Sequence, residues 1–275
     1  MHIGNAAGFS VDRMDVGGPV ADALIGSGRP AALFYETLAE RTLAIAQRER
    51  RRDPEKGYTP DLAGFIGPVL ERCVASGIPI VGNFGAANPM GAARRLHELA
   101  KELGIEGLRV AVVDGDDLRE DIRGLRTEQW GDETPLDLAN TEILAANVYL
   151  GAQPIADAFA LDPHIVVTGR VTDSALALGP LMQHFGWAAD DWDKMAVGVL
   201  AGHLLECGSQ VTGGYHADPG RKDVSGLANV GFPIAEVEED GAIVVTKPEG
   251  TGGVVNTRTV KEQILYELDD PTHYL

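Results

Sequence analysis

The run Gly169-Arg170-Val171-Thr172-Asp173-Ser174 follows the apolar stretch Ile165-Val166-Val167-Thr168 and places a fixed cation, a hydroxyl and a carboxylate side by side. Arg170 can hold a carboxylate or phosphate through two parallel N–H bonds, with Thr172 beside it, and Asp173 can take a proton if desolvation raises its pKa. A second reading has Thr172 or Asp173 capping the next helix while Arg170 pairs with Asp173. Both stay open. Further along, His203, Glu206 and Cys207 fall at i, i+3 and i+4, so one helix face presents an imidazole, a carboxylate and a thiol. Acid/base catalysis, metal binding and an ordinary polar helix face all fit this pattern. A metal needs a third or fourth ligand at matched spacing that the local sequence does not declare, so no metal set is assigned.

The other candidates offer backbone rather than side chains. In Gly82-Asn83-Phe84-Gly85-Ala86-Ala87-Asn88-Pro89 the glycines let a ligand approach the chain, and Asn88 with Pro89 opens a helix whose free N–H groups favour an anion. Asn83, Gly85 and Asn88 are therefore candidate substrate-binding residues, against the alternative of a plain tight turn. Asn5 and Gly8, Gly213 and Gly214, and Gly252 and Gly253 sit in similar small-residue turns. For the last pair a β-turn with Asn256 or Thr257 as helix cap is the competing reading. G-x-G-x-x-G and the P-loop Lys-Ser/Thr are both missing, which argues against dinucleotide redox chemistry, and no G-x-S-x-G elbow supports serine hydrolysis. Asp114, Asp116 and Asp117 form a weak Mg²⁺ set, because hard cations usually recruit ligands from several loops.

These residues need a scaffold that gathers loops. A short strand at Ile3 leads into the first turn. Roughly helical spacing of Leu33, Phe34, Leu38, Leu43, Ile45 and Ala46 predicts a helix over residues 33–52, and a second covers 62–76. Strand 78–81, a helix to Leu103 and strand 109–113 make a βαβ unit, hence a parallel sheet. Residues 141–160 read as one or two helices, 165–168 as a third buried strand, then helices from Ala175 and over 192–207. Beyond Gly214 come short β pieces at 232–234 and 242–245, then a helix over 257–268. The fold class expected is α/β, a Rossmann-like open, mostly parallel sheet with helices on both faces and a smaller β-containing C-terminal portion. Residues 1–214 form the core and 215–275 an extension packed on it. Ligands in such sheets bind beyond the strands' carboxyl ends, where these loops converge.

Composition narrows the partners. The 275 residues carry 41 acidic against 23 basic side chains, a formal charge of −18, which disfavours nucleic acid and acidic membranes. The one basic run, Arg48-Glu49-Arg50-Arg51-Arg52, suits a helix C-terminus. Only Cys73 and Cys207 occur, which makes no disulfide framework, and no apolar stretch reaches bilayer length, so a cytoplasmic protein is expected.

Taken together, several blocks resemble the acyclic terpene utilisation protein A family. They are Ile3-Gly4-Asn5-Ala6-Ala7-Gly8-Phe9, Asn83-Phe84-Gly85-Ala86-Ala87-Asn88-Pro89, Ala145-Ala146-Asn147-Val148-Tyr149-Leu150-Gly151, Ile165 through Ala175, Glu206-Cys207-Gly208-Ser209-Gln210-Val211-Thr212-Gly213-Gly214, and Gly250-Thr251-Gly252-Gly253-Val254-Val255-Asn256-Thr257. The resemblance implies an α/β fold and a part in acyl-CoA or branched-chain acid catabolism. Residues 11–29 diverge from the family's usual first loop and helix, with Gly17-Gly18-Pro19 and Gly26-Ser27-Gly28 interrupting them. Relatives are typically longer, continuing past Tyr274-Leu275, so a partner subunit or homo-oligomer supplying the rest is one expectation. The function expected is hydratase or lyase chemistry on a small anionic substrate carried as a CoA thioester. Arg170 orients it, Asp173 or Glu206 takes a proton, and His203 or Cys207 returns one. The alternative is a non-catalytic subunit that binds a ligand or assembles a larger complex.

Overall fold

The computed structural model describes residues 1–125, 127, 135, 136, 138, 142–268, 270 and 272. Short apolar runs become strands because a strand inside a parallel sheet is buried on both faces. β1 (His2–Asn5), β2 (Ala31–Tyr35), β3 (Ile80–Gly82), β4 (Val110–Val113) and β5 (Ile165–Thr168) pair in parallel. β6 (Ile234–Val237) adds antiparallel to β1, and β7 (Ile243–Thr246) to β6. The result is one 7-stranded sheet in the order β4-β5-β3-β2-β1-β6-β7.

Alternation along the strands divides the core in two. Leu33, Tyr35, Ile80, Ile165 and Val167 face α1 (Gly17–Ser27), α3 (Leu62–Ser76) and α4 (Pro89–Glu102). Ile3, Ala32, Phe34, Val81 and Val166 face α5 (Gln153–Phe159), α6 (Ala175–Phe185) and α7 (Trp192–Leu205). The protein is thus an α/β fold with a mostly parallel sheet covered on both faces. α2 (Glu40–Arg52) lies across the carboxyl edge, joined to it through Leu38, Leu43, Ala46, Ala86 and Ala87. α8 (Thr257–Leu268) packs against α7.

β3 and β5 are neighbours, yet β3 runs on into α4 on one face and β5 into α6 on the other. Their exit loops part and leave a crevice, the switch point at which open α/β sheets bind ligands. Gly85 lets the two loops meet below it. A Cβ at that position would lie 2.4 Å from the Thr168 carbonyl oxygen and 2.9 Å from Pro89 Cα.

Several expectations need correction. Leu33 and Phe34 belong to β2, not to a helix over 33–52, and the helix begins only at Glu40. The apolar residues of two adjoining elements happened to fall at a spacing that reads as one helix. Residues 17–27, treated as interrupted by glycine, form α1, because Gly17 lies against the Tyr35 hydroxyl and Gly4 of β1 accepts the close approach of Val20. In residues 141–160 the one helix described is α5; residues 142–152 are irregular and pair through bridges Asp117–Asn147 and Leu150–Val171, while Thr141 lies outside the described residues. The parallel sheet expected from the βαβ unit over 78–113 is present, with β5 inserted between β3 and β4. Helix α3 and its closing glycine, α8, and β5 fall where the sequence places them, with Gly77 left-handed at φ 66°.

Replacing Gly85 by Ala forces a methyl group against backbone that cannot swing away. The expected loss is about 1–3 kcal/mol of unfolding free energy with an unchanged denaturant slope. Urea titration followed by circular dichroism checks it, and a variant as stable as the parent would contradict this account of the crevice.

Candidate functional site

Arg170 lies at the carboxyl edge just beyond β5, with its side chain 3% exposed. Its Nη1 donates to the Leu38 carbonyl at 2.5 Å and its Nη2 to Asp173 Oδ1 at 2.7 Å, while the guanidinium carbon lies 4.1 Å from the Tyr149 ring centroid. The Tyr149 hydroxyl in turn donates to Glu40. Backbone N–H of Arg170 donates to Asp116 Oδ2 at 2.9 Å. The Arg170–Asp173 pair of the second reading is therefore present, but neither Thr172 nor Asp173 caps α6, whose N-cap is Ser174 without a side-chain bond. Thr172 is exposed and bonds to the Leu150 carbonyl through its backbone N–H.

Beneath this cation lies a buried polar network that the sequence reading missed. Glu36 Oε1 accepts from Leu38 N–H and from Asn83 Nδ2, each at 2.8 Å, and Asn83 Oδ1 accepts from Thr37 N–H at 2.7 Å. Burial, the Asp173 charge adding to it, holds the Glu36 carboxyl well above the usual range despite these donors. Burial also raises Asp173, against the pull of Arg170 and with Glu40 and Glu267 adding to the rise. Glu36, Thr37 and Leu38 were hidden because they were read as helix. Their polar character at the end of a strand is the signal that would have found them.

A second cluster is assembled by α7 and α8. His203 Nδ1 lies 2.7 Å from Glu206 Oε1 and 3.4 Å from Glu267 Oε2. The Cys207 thiol donates to Glu267 Oε1 at 3.1 Å, and Gln263 Nε2 donates to Glu267 and to the His203 carbonyl. Burial raises the Glu206 carboxyl to about 8, with Glu267 adding to the rise and His203 opposing it. Glu267 is shifted down: burial opposes this, but donors on His203, Glu206 and Cys207 outweigh it. Burial and the same carboxylates push the Cys207 thiol up, so it is a donor here rather than a thiolate nucleophile. Asn5 ties the cluster to β1 by donating to the Leu205 and Glu206 carbonyls at 2.9 and 3.2 Å. Gly8 packs on Cys207 backbone, where a Cβ would lie 2.6 Å away.

The remaining candidates meet protein rather than open space. Asn88 caps α4 through Gly91 N–H and holds the Pro54 and Lys56 carbonyls. A Cβ on Gly214 would strike Ser209 Oγ at 2.5 Å, one on Gly252 the Gly226 carbonyl at 1.9 Å, and one on Gly253 the Thr212 carbonyl at 2.5 Å. Gly213 has φ 100°. Asp114, Asp116 and Asp117 do not converge. Asp116 binds Arg170 N–H and Asn147, Asp117 pairs with Arg119 at 2.8 Å, and Asp114 accepts from Gly115 N–H.

A cavity of about 500 Å³ opens above Arg170, between α2 and the irregular segment before α5. Leu43, Ala44, Leu144, Ala145 and Ala146 give it mostly apolar walls, and Glu40, Tyr149 and Arg170 form its polar end. Among the described residues no helix is long and apolar enough to cross a membrane.

The family model described as acyclic terpene utilisation family protein AtuA matches residues 1–275, the whole chain. No curated protein and no solved structure matches it.

Two outcomes follow from this geometry. Arg170→Met leaves Asp173 and its neighbours without their counter-charge and is expected to cost about 3–5 kcal/mol in urea unfolding. Glu36 keeps its proton in the folded chain at pH values where the unfolded chain has released it. Its contribution to stability is therefore complete below the ordinary carboxylate range and declines by about 1.4 kcal/mol per pH unit above it, until the raised folded value is passed. Glu36→Gln keeps the two accepted hydrogen bonds and removes this decline, so the stability difference between parent and variant should change steadily as urea titrations move upward from pH 5. A difference independent of pH would show that Glu36 is ionised.

Proposed function

The chain belongs to the AtuA family of acyclic terpene utilisation proteins, and on that premise we propose that it is an enzyme performing acid/base chemistry on a branched, terpenoid-derived acyl thioester. The observation that carries this reading is the apolar cavity ending on Arg170, whose Nε is buried and has no hydrogen-bond partner among the described residues. An acyl chain with methyl branches fits walls of Leu and Ala, and the carbonyl end meets the guanidinium.

The charge balance favours a thioester over a free acid. Arg170 is already matched by Asp173, with Glu40 beside it, so an added carboxylate would find no unspent positive charge. A thioester carbonyl arrives neutral and gains negative charge only as a proton leaves the adjacent carbon. The Arg170 guanidinium at the cavity's end is then a fixed positive group for a charge that develops during the reaction, where electrostatic stabilisation is most effective. Asp173 does not line the cavity but is bonded to the guanidinium that does, and with its raised pKa it is the base of this proposal. In dehydration the proton moves from the carbon next to the carbonyl to Asp173, the C–O bond at the next carbon breaks, and the hydroxide takes that proton from Asp173 to leave as water; hydration is the reverse.

Incubation of the full chain with α,β-unsaturated and 3-hydroxy branched acyl-CoA thioesters in D₂O tests the reading by mass spectrometry. Deuterium gain, or a mass change of one water, is expected, with Asp173→Asn slower by about 10²-fold or more. Ala145→Trp, which fills the cavity, should raise KM more than it lowers kcat. Thioesters that remain unlabelled and unhydrated would overturn it.

A further inference from the structure

We propose that His203, Glu206 and Glu267 form a binding site for one first-row divalent metal ion of the zinc type. The site requires nothing of the thioester chemistry above and stands or falls separately. It joins two helices far apart in sequence, since His203 lies in α7, Glu206 caps its end and Glu267 comes from α8.

The geometry is that of a donor set drawn together around a small space. One ligand atom from each of the three residues lies within 4.8 Å of the others. The distances from His203 Nδ1, 2.7 Å to Glu206 Oε1 and 3.4 Å to Glu267 Oε2, bracket the edge of about 3.3 Å expected between donors of a tetrahedral ion with bonds of about 2.0–2.1 Å. An ordinary ion pair accounts for one carboxylate on the imidazole, not for two. An independent observation is that Glu206 Oε2 is buried and has no hydrogen-bond partner among the described residues, in a side chain only 5% exposed. A proton offsets the cost of burying this carboxyl in the metal-free chain, and a cation would take that proton's place and satisfy the unpartnered oxygen.

The donor types select the metal. One imidazole and two carboxylates suit zinc and its first-row neighbours better than Mg²⁺ or Ca²⁺, which prefer all-oxygen sets of six or more. Outside the three ligands, Gln263 donates to Glu267, and the Cys207 thiol lies 3.1 Å from Glu267 Oε1. Gln263 and the Cys207 thiol, both donating to Glu267, orient that carboxylate as outer-shell partners would. Three protein ligands with a position to spare is the arrangement of zinc sites that bind water or substrate.

Equilibrium dialysis of the chelator-stripped full chain against Zn²⁺, with the bound metal counted by mass spectrometry, tests the site. One equivalent per chain is expected, and Glu206→Gln and Glu267→Gln, which keep size and most hydrogen bonds, should each weaken it about 10-fold or more. Zinc-edge X-ray absorption of the parent chain keeps the test independent of how the variants fold. Oxygen and nitrogen neighbours with the scattering of one imidazole support the assignment. No saturable binding, affinity unchanged in both folded variants, or a first shell without imidazole would each overturn it.

Discussion

A buried guanidinium at the carboxyl edge sets the terms for the rest of this molecule. Removing a cation from water is costly, and the cost is tolerable only where the charge is paired and most of its donors are met. Arg170 finds them on several loops: the Leu38 carbonyl after β2, the Asp173 carboxylate after β5, the face of Tyr149 from the irregular segment, and, through its own backbone N–H, Asp116 after β4. The loops of three strands are thereby fixed relative to one another by a single residue. Glu36 completes the layer underneath, held by Asn83 from the loop after β3.

The same constraint explains why so many acidic groups gather here without flying apart. Glu36, Asp173 and Glu206 all lie where burial favours the neutral carboxyl, and each is raised. Charge is limited by protonation as much as by pairing. Buried clusters of groups with shifted pKa values recur at functional sites.

Close backbone contacts hold the two polar clusters side by side. Gly202 of α7 presses on Ser174, where a Cβ would lie 2.5 Å from Ser174 Cα, and Gly8 presses on Cys207. The first contact sets α7 against the loop carrying Asp173; the second sets the end of α7 against the loop after β1. Electrostatic reach between the clusters follows, since Glu267 contributes to the raised pKa of Asp173. Many glycines of this chain therefore serve contact between chain segments, a role that small-residue turns share with ligand binding and that composition does not separate.

What local pattern could encode was legible in the sequence. β5 is a run of apolar residues, α8 alternates apolar and polar residues at helical spacing, α3 ends on a left-handed glycine, and Asn88-Pro89 opens α4, so each carries its own signal. The blocks around Arg170, Asp173, His203 and Glu206 likewise stood out by residue type and spacing. Hidden from that reading were β2 and the Glu36 network, because adjoining strand and helix residues mimicked a single helical period. The place of β5 between β3 and β4 was hidden too, since strand order is decided by packing over both faces. Glu267 is the clearest case: some 60 positions from its partners, it meets His203 and Cys207 only because α8 docks on α7. Neighbours along the chain are a property of sequence, whereas the burial that sets a carboxyl's charge, and the distant donor that completes a site, exist only once the chain has folded.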